Sequence, residues 1–117
     1  HKKGLELLNK AAEFFRTGHS AEYGFVLSAR SHAHLLDRNL EQAQADYQEA
    51  QEHKPYMTDS VLRRLHGMRL YQALGDHRAA ADCARQAFER AQEMGCSPGT
   101  ALYDRVTRLS TELNINP

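Results

Sequence analysis

Seven histidines, two cysteines and a few closely spaced serines are the residues of this 117-residue chain whose types could do chemistry. Metal binding is the first chemistry they raise. His32 and His34 are two positions apart, so on a helix they point roughly 200° from one another and cannot grip one ion together. The sequence holds no His-x-x-x-His pair, no Cys-x-x-Cys and no Glu-x-x-His, spacings that present two ligands to zinc from one helix turn or one tight loop. Cys83 and Cys96 have no histidine at a ligand spacing. The expectation is no metal and no cofactor, with the histidines at a groove or on the surface, where a cluster would make binding pH-sensitive near neutrality. Nucleophilic catalysis needs a serine or cysteine with a base and an orienting acid. Ser28, Ser31 and His32 are close in sequence, but no strained elbow, glycine-rich oxyanion loop or phosphate-cradling loop accompanies them. The chain reads as a non-enzyme.

Lysine plus arginine and aspartate plus glutamate both number 15, for a net charge of zero. That argues against a general binder of nucleic acid or membrane surface, which carries a basic surplus. Charge is uneven locally. Residues 41–52 hold Glu41, Asp46, Glu49 and Glu52 with no lysine or arginine, and residues 61–72 hold Arg63, Arg64 and Arg69 with no acid; two helices of opposite sign would attract. Two cysteines are too few for a disulfide framework, so a reducing, cytoplasmic setting is expected. No apolar run is long enough to span a membrane. The chain opens on His1-Lys2-Lys3 without methionine, either a tag residue or the edge of a fragment.

Helical spacing of apolar residues runs through the whole chain, and no segment alternates with period two. A first helix is predicted over 3–17, its stripe Leu5, Leu8, Ala12 and Phe15 widened by Leu7, Ala11 and Phe14, with Gly18 as C-cap. Ser20 is the expected N-cap of a second helix over 21–36, ended by Asp37-Arg38-Asn39. A third runs over 40–53 and stops before Pro55. A fourth starts at an N-cap of Thr58 or Asp59 and ends at Leu74-Gly75. A fifth runs from Asp76 to Met94, closed by Gly95. A sixth opens at Ser97-Pro98, with proline in its first turn, and carries Leu102, Val106, Leu109 and Leu113, leaving residues 114–117 as a frayed tail. Short connections make sequential helices antiparallel neighbours. The result is a single all-α domain of about six helices.

The chain repeats itself. Residues 35–55 lie over 73–93 at an offset of 37, with Leu36 set against Leu74 by a one-residue adjustment, Ala43 against Ala80 and Ala50 against Ala87. Tyr71, Gly75, Asp76, Ala80 and Ala87 in one copy, and Ser31, Leu40, Ala43, Tyr47, Ala50 and Pro55 in the other, resemble a tetratricopeptide repeat. The resemblance covers residues 21–96 well and the flanking helices loosely. His34 and Arg38 depart from the family's tyrosine and glycine, the usual tryptophan is missing, and the Lys/Asn set that clamps a C-terminal carboxylate is not visible. A weaker resemblance to pentatricopeptide repeats, carried by Phe88, Gly95, Pro98 and Tyr103, would imply single-stranded RNA as ligand; the length of the fifth helix and the balanced charge weigh against it.

The tetratricopeptide resemblance implies a right-handed array of antiparallel helix pairs, an α-solenoid, with repeats at 21–55 and 58–96, an N-terminal helix at 3–17 and a solvent-facing cap at 98–113. It also implies that the first helix of each pair lines a concave groove. The groove residues would be Phe25, Ser28, His32 and Leu35 on the second helix, and Leu62, Leu65, Arg69 and Gln72 on the fourth. Apolar anchors beside Arg69 and His32 suit an extended or helical peptide with an acidic residue. The expected function is binding a peptide or helix of a protein partner, inside a larger regulatory or assembly protein. Alternatives are a small dedicated chaperone for a secreted or assembling subunit, the RNA-binding repeat, and a self-association module. The other reading of these eight residues is that flanking helices or a neighbouring repeat cover them.

Overall fold

The computed structural model describes residues 2–116, the side chain of residue 58 excepted. Expectations touching His1 and Pro117 lie outside the described residues, and the expected cap at Thr58 or Asp59 is corrected, since the fourth helix already begins at Met57 and holds both in its first turn. Six helices run in order: α1 (Lys2–Phe15), α2 (Ser20–Leu36), α3 (Leu40–Ala50), α4 (Met57–Ala73), α5 (His77–Glu93) and α6 (Ala101–Glu112). Among the described residues there is no strand, and no helix is long and apolar enough to cross a membrane. The chain forms two compact units, residues 1–56 with α1–α3 and residues 57–117 with α4–α6.

In the first unit α2 packs on both α1 and α3. The buried residues are Gly24, Val26, Leu27, Ser28 and Ser31 of α2, and Ala43, Asp46, Tyr47 and Ala50 of α3. Ala12 is the buried residue of α1. In the second unit α4 packs chiefly on α5, and α6 lies against both. One apolar cluster fills it: Val61, Leu65 and Met68 of α4, Cys83, Ala84 and Ala87 of α5, Val106 and Leu109 of α6. Alanines dominate the α5 side because α4 brings the bulk. In the first unit the positions equivalent to Val61, Leu65 and Met68 are small Gly24, Ser28 and Ser31, and the position equivalent to Ala84 is Tyr47.

The same turn joins α2 to α3 and α4 to α5. Arg38 and Gly75 sit in the left-handed region just past each helix. The next residue's N–H reaches back to close the last turn, Asn39 to the His34 carbonyl at 2.8 Å and Asp76 to the Tyr71 carbonyl at 2.9 Å, the bond of a Schellman motif. That residue then caps the following helix: Asn39 accepts from the Gln42 N–H and Asp76 from the Ala79 N–H. The two turns superpose at an offset of 37 with no adjustment, so Leu36 stands opposite Ala73 rather than Leu74.

Several sequence expectations are corrected. Ser20 is the first helical residue of α2, not its cap; its hydroxyl is drawn instead to His53 Nδ1 at 2.8 Å. α3 ends at Ala50, and residues 51–53 tighten into bonds three residues back, as a chain approaching proline must. Pro98 does not open α6. Ser97 to Thr100 form a turn around Pro98 and left-handed Gly99, closed by Thr100 N–H on the Ser97 carbonyl at 3.0 Å, the type II pattern. The tail beyond α6 is not frayed at residues 114 and 115: Asn114 takes the left-handed cap position, the Ile115 N–H bonds the Ser110 carbonyl at 2.8 Å, and Leu113 and Ile115 pack on the core. On α1, Leu7 and Phe14 do not widen the inner stripe; both are exposed.

Candidate functional site

The eight groove residues form four equivalent pairs at the repeat offset of 37: Phe25 with Leu62, Ser28 with Leu65, His32 with Arg69, Leu35 with Gln72. Each set of four lies within its own unit. The Ser28/Leu65 position is interior in both. Leu65 is 3% exposed and stands in the apolar cluster, and Ser28 is 2% exposed; neither presents surface to a partner. Both fall on the stripe that each helix turns toward the second helix of its pair, 24/28/31 in α2 and 61/65/68 in α4. The remaining six keep accessible surface. Phe25 is exposed, and His32, Leu35, Leu62, Arg69 and Gln72 are half-buried. Leu62 packs against the edge of the apolar cluster. Gln72 is committed internally: its amide nitrogen donates to the Leu113 carbonyl at 2.7 Å and its oxygen faces His77 Nδ1 at 2.8 Å.

A second feature of the first unit went unread in the sequence. An open cleft of about 470 Å³ is lined by Asn9 and Glu13 of α1, Arg16 just past its end, Tyr23 and Arg30 of α2, and Glu49 of α3. Arg30 anchors it. Its Nε and Nη2 donate to the two carboxylate oxygens of buried Asp46 at 2.8 and 2.9 Å, and its Nη1 donates to Asn9 Oδ1 at 3.1 Å. One guanidinium thus ties together three helices in the fork geometry that gives arginine–carboxylate pairs their strength. His34 Nε2 stands 3.7 Å from the same carboxylate. The Asp46 hydrogen bonds hold the Arg30 pKa above the ordinary arginine value. At the other end Tyr23 donates its hydroxyl to Glu49 at 2.7 Å, and that carboxylate pushes the phenol's pKa upward. A guanidinium has five N–H donors, and three of those of Arg30 make these bonds. The chemistry on offer is recognition by charge and hydrogen bonds.

A signal for this cluster was present in the sequence. Arg30 and Asp46 occupy the positions that Gly67 and Cys83 hold in the second copy. A charge where the sister repeat is apolar marks an interior polar pair, since an unpaired one would be costly. The same interactions account for part of the acidic run 41–52: Asp46 and Glu49 are both engaged within their own unit. Neither Cys83 nor Cys96 is in a disulfide. Among the described residues no group of three or more histidine, cysteine, aspartate or glutamate side chains is placed to hold a metal ion. No protein-family model, curated protein or solved structure matches the chain.

Proposed function

We propose that this chain is a tetratricopeptide-like helical-repeat module that binds a protein partner without catalysis, in a reducing compartment and as part of a larger regulatory or assembly protein. One observation carries the reading. The same helix–turn–helix occurs twice at an offset of 37, with the same left-handed cap, the same Asn39/Asp76 N-cap and fully buried alanines at 43/80 and 50/87. Repeated helix pairs are commonly used as binding surfaces. Taken unit by unit, Phe25 and Leu35 of α2 supply apolar contact in the first, and Leu62 and Arg69 of α4 supply apolar contact and a cation in the second, groups of the sort that take an apolar–acidic peptide. A displayed library of such peptides tests it. Enriched peptides that bind the chain and lose affinity to Phe25→Asp and Arg69→Glu, with helix content unchanged, support the proposal; no enrichment, or indifference to both substitutions, refutes it.

A further inference from the structure

We infer that the cleft between α1, α2 and α3 is a binding site for a basic α-amino acid, separate from the groove residues of α2 and α4. Its volume of about 470 Å³ is in the range that holds a small molecule, but its walls are polar. Apart from Ala12 and the Tyr23 ring, every lining residue is charged or an amide. Two sets of bonds fix those walls: Arg30 bridges Asp46 and Asn9, and Tyr23 bonds Glu49. These side chains are ordered before a ligand arrives, which lowers the cost of binding one. Glu13 and Arg16 stand outside that framework. Opposite charges three residues apart commonly pair, as Asp82 with Arg85 and Arg90 with Glu93 do here. Among the described residues the side chains of Glu13 and Arg16 make no ion pair with each other or with any other group. Both face the cleft instead.

The charges decide the ligand. Arg30 and Asp46 cancel, which leaves the carboxylates of Glu13 and Glu49 against the guanidinium of Arg16. Arg16 and Glu49 are both near enough for their charges to act on the Tyr23 phenol, and Glu13 is within one helical turn of Arg16. A ligand that answers all three groups carries one carboxylate and two cations. Arginine and lysine have that make-up at neutral pH: an α-carboxylate, an α-ammonium and a side-chain cation. The α-carboxylate takes Arg16, in the fork geometry that suits the pair. The two cations take Glu13 and Glu49, the latter through Oε1 because Tyr23 occupies Oε2. A neutral amino acid leaves one carboxylate of the cleft unanswered, and an acidic one adds repulsion. Ion pairs open to water are individually weak, so the expected Kd is about 1 mM.

Amide NMR titration of the full chain with L-arginine, L-lysine, agmatine and L-glutamate, at constant ionic strength, tests this. Arginine and lysine are expected to give saturating shifts confined to the residues that line the cleft, and glutamate none. Glu13→Gln should weaken arginine about threefold or more by removing one ion pair. Arg16→Gln should weaken arginine by a similar factor yet leave agmatine no weaker, because agmatine is arginine without its carboxylate. Shifts that never saturate, or that scatter over the surface, mean general ionic attraction and overturn the inference. So does glutamate binding as tightly as arginine, indifference of arginine to either substitution, or an equal loss of arginine and agmatine in Arg16→Gln. Both substituted side chains are exposed, and circular dichroism on each variant separates lost binding from lost folding.

Discussion

Arg38 and Gly75 hold the same left-handed place, at φ 62° and φ 80°, one residue past the C-cap of α2 and of α4. Only one of them is suited to it. A side chain in that region costs roughly 1–2 kcal/mol, whereas glycine enters freely at the expense of a looser unfolded chain. Arg38→Gly is therefore expected to raise stability by about 0.5–1 kcal/mol. Gly75→Ala should lower it by about 1–2 kcal/mol. Urea unfolding of the two variants checks both signs.

The interior pair of the first unit gives a prediction of the opposite kind. Asp46→Ala strands Arg30 among α1, α2 and α3 and should cost about 2–3 kcal/mol. Replacing both partners, as Arg30→Met with Asp46→Leu, should recover most of that loss, since well-packed apolar groups commonly substitute for such pairs. A double-mutant cycle in chemical denaturation measures the coupling.

Ser28 and Leu65 share one repeat position and should respond as interior residues. Leu65→Ala is expected to cost about 2–5 kcal/mol through the cavity it opens. Ser28→Leu should cost about 1–3 kcal/mol by overpacking. Phe25→Ala, at the exposed neighbouring position, should stay within about 0.5 kcal/mol of wild type. Thermal melts of the three rank them directly.

Two tyrosine–glutamate bonds respond to pH from opposite ends. Tyr56 donates to Glu22 at 2.6 Å and lowers that carboxyl below its ordinary 4.5. The contact is whole above 4.5 and is lost as pH falls through the lowered value. Tyr56→Phe should return the Glu22 midpoint upward in an NMR titration. Glu49 raises the Tyr23 phenol above its ordinary 10.0. That contribution is intact below pH 10.0 and drains away as pH rises through the raised value. Glu49→Gln should bring the Tyr23 absorbance midpoint down. Tyr71, also raised but by burial, should titrate late in both proteins.

Helices and turns were legible where local chemistry decides them. The turn at Asp37-Arg38-Asn39 and the stop at Leu74-Gly75 stand where turn-forming residues put them, whereas Asp76 caps α5 instead of being its first residue. Two boundaries were misread because a better partner or turn competed: Ser20 was drawn to His53, and Pro98 to the β-turn with Gly99. The inner face of α2 and α4 was legible only in part. Both helices carry apolar residues on more than one side, so spacing alone could not tell Ser28 and Leu65 from exposed Phe25 and half-buried Leu62. The Arg30–Asp46 pair needed knowledge of which helices meet, though its mismatch with Gly67 and Cys83 was already visible.

That mismatch also bears on how two similarly built hairpins in one polypeptide avoid exchanging arms. If α2 closed on α5, Arg30 would face Cys83 where it now finds a carboxylate, and small side chains would meet small ones and leave voids. If α4 closed on α3, Val61, Leu65 and Met68 would collide with Tyr47, and Asp46 would be stranded. Divergence between the copies thus works as a key, rejecting the wrong mate during folding by both charge and bulk.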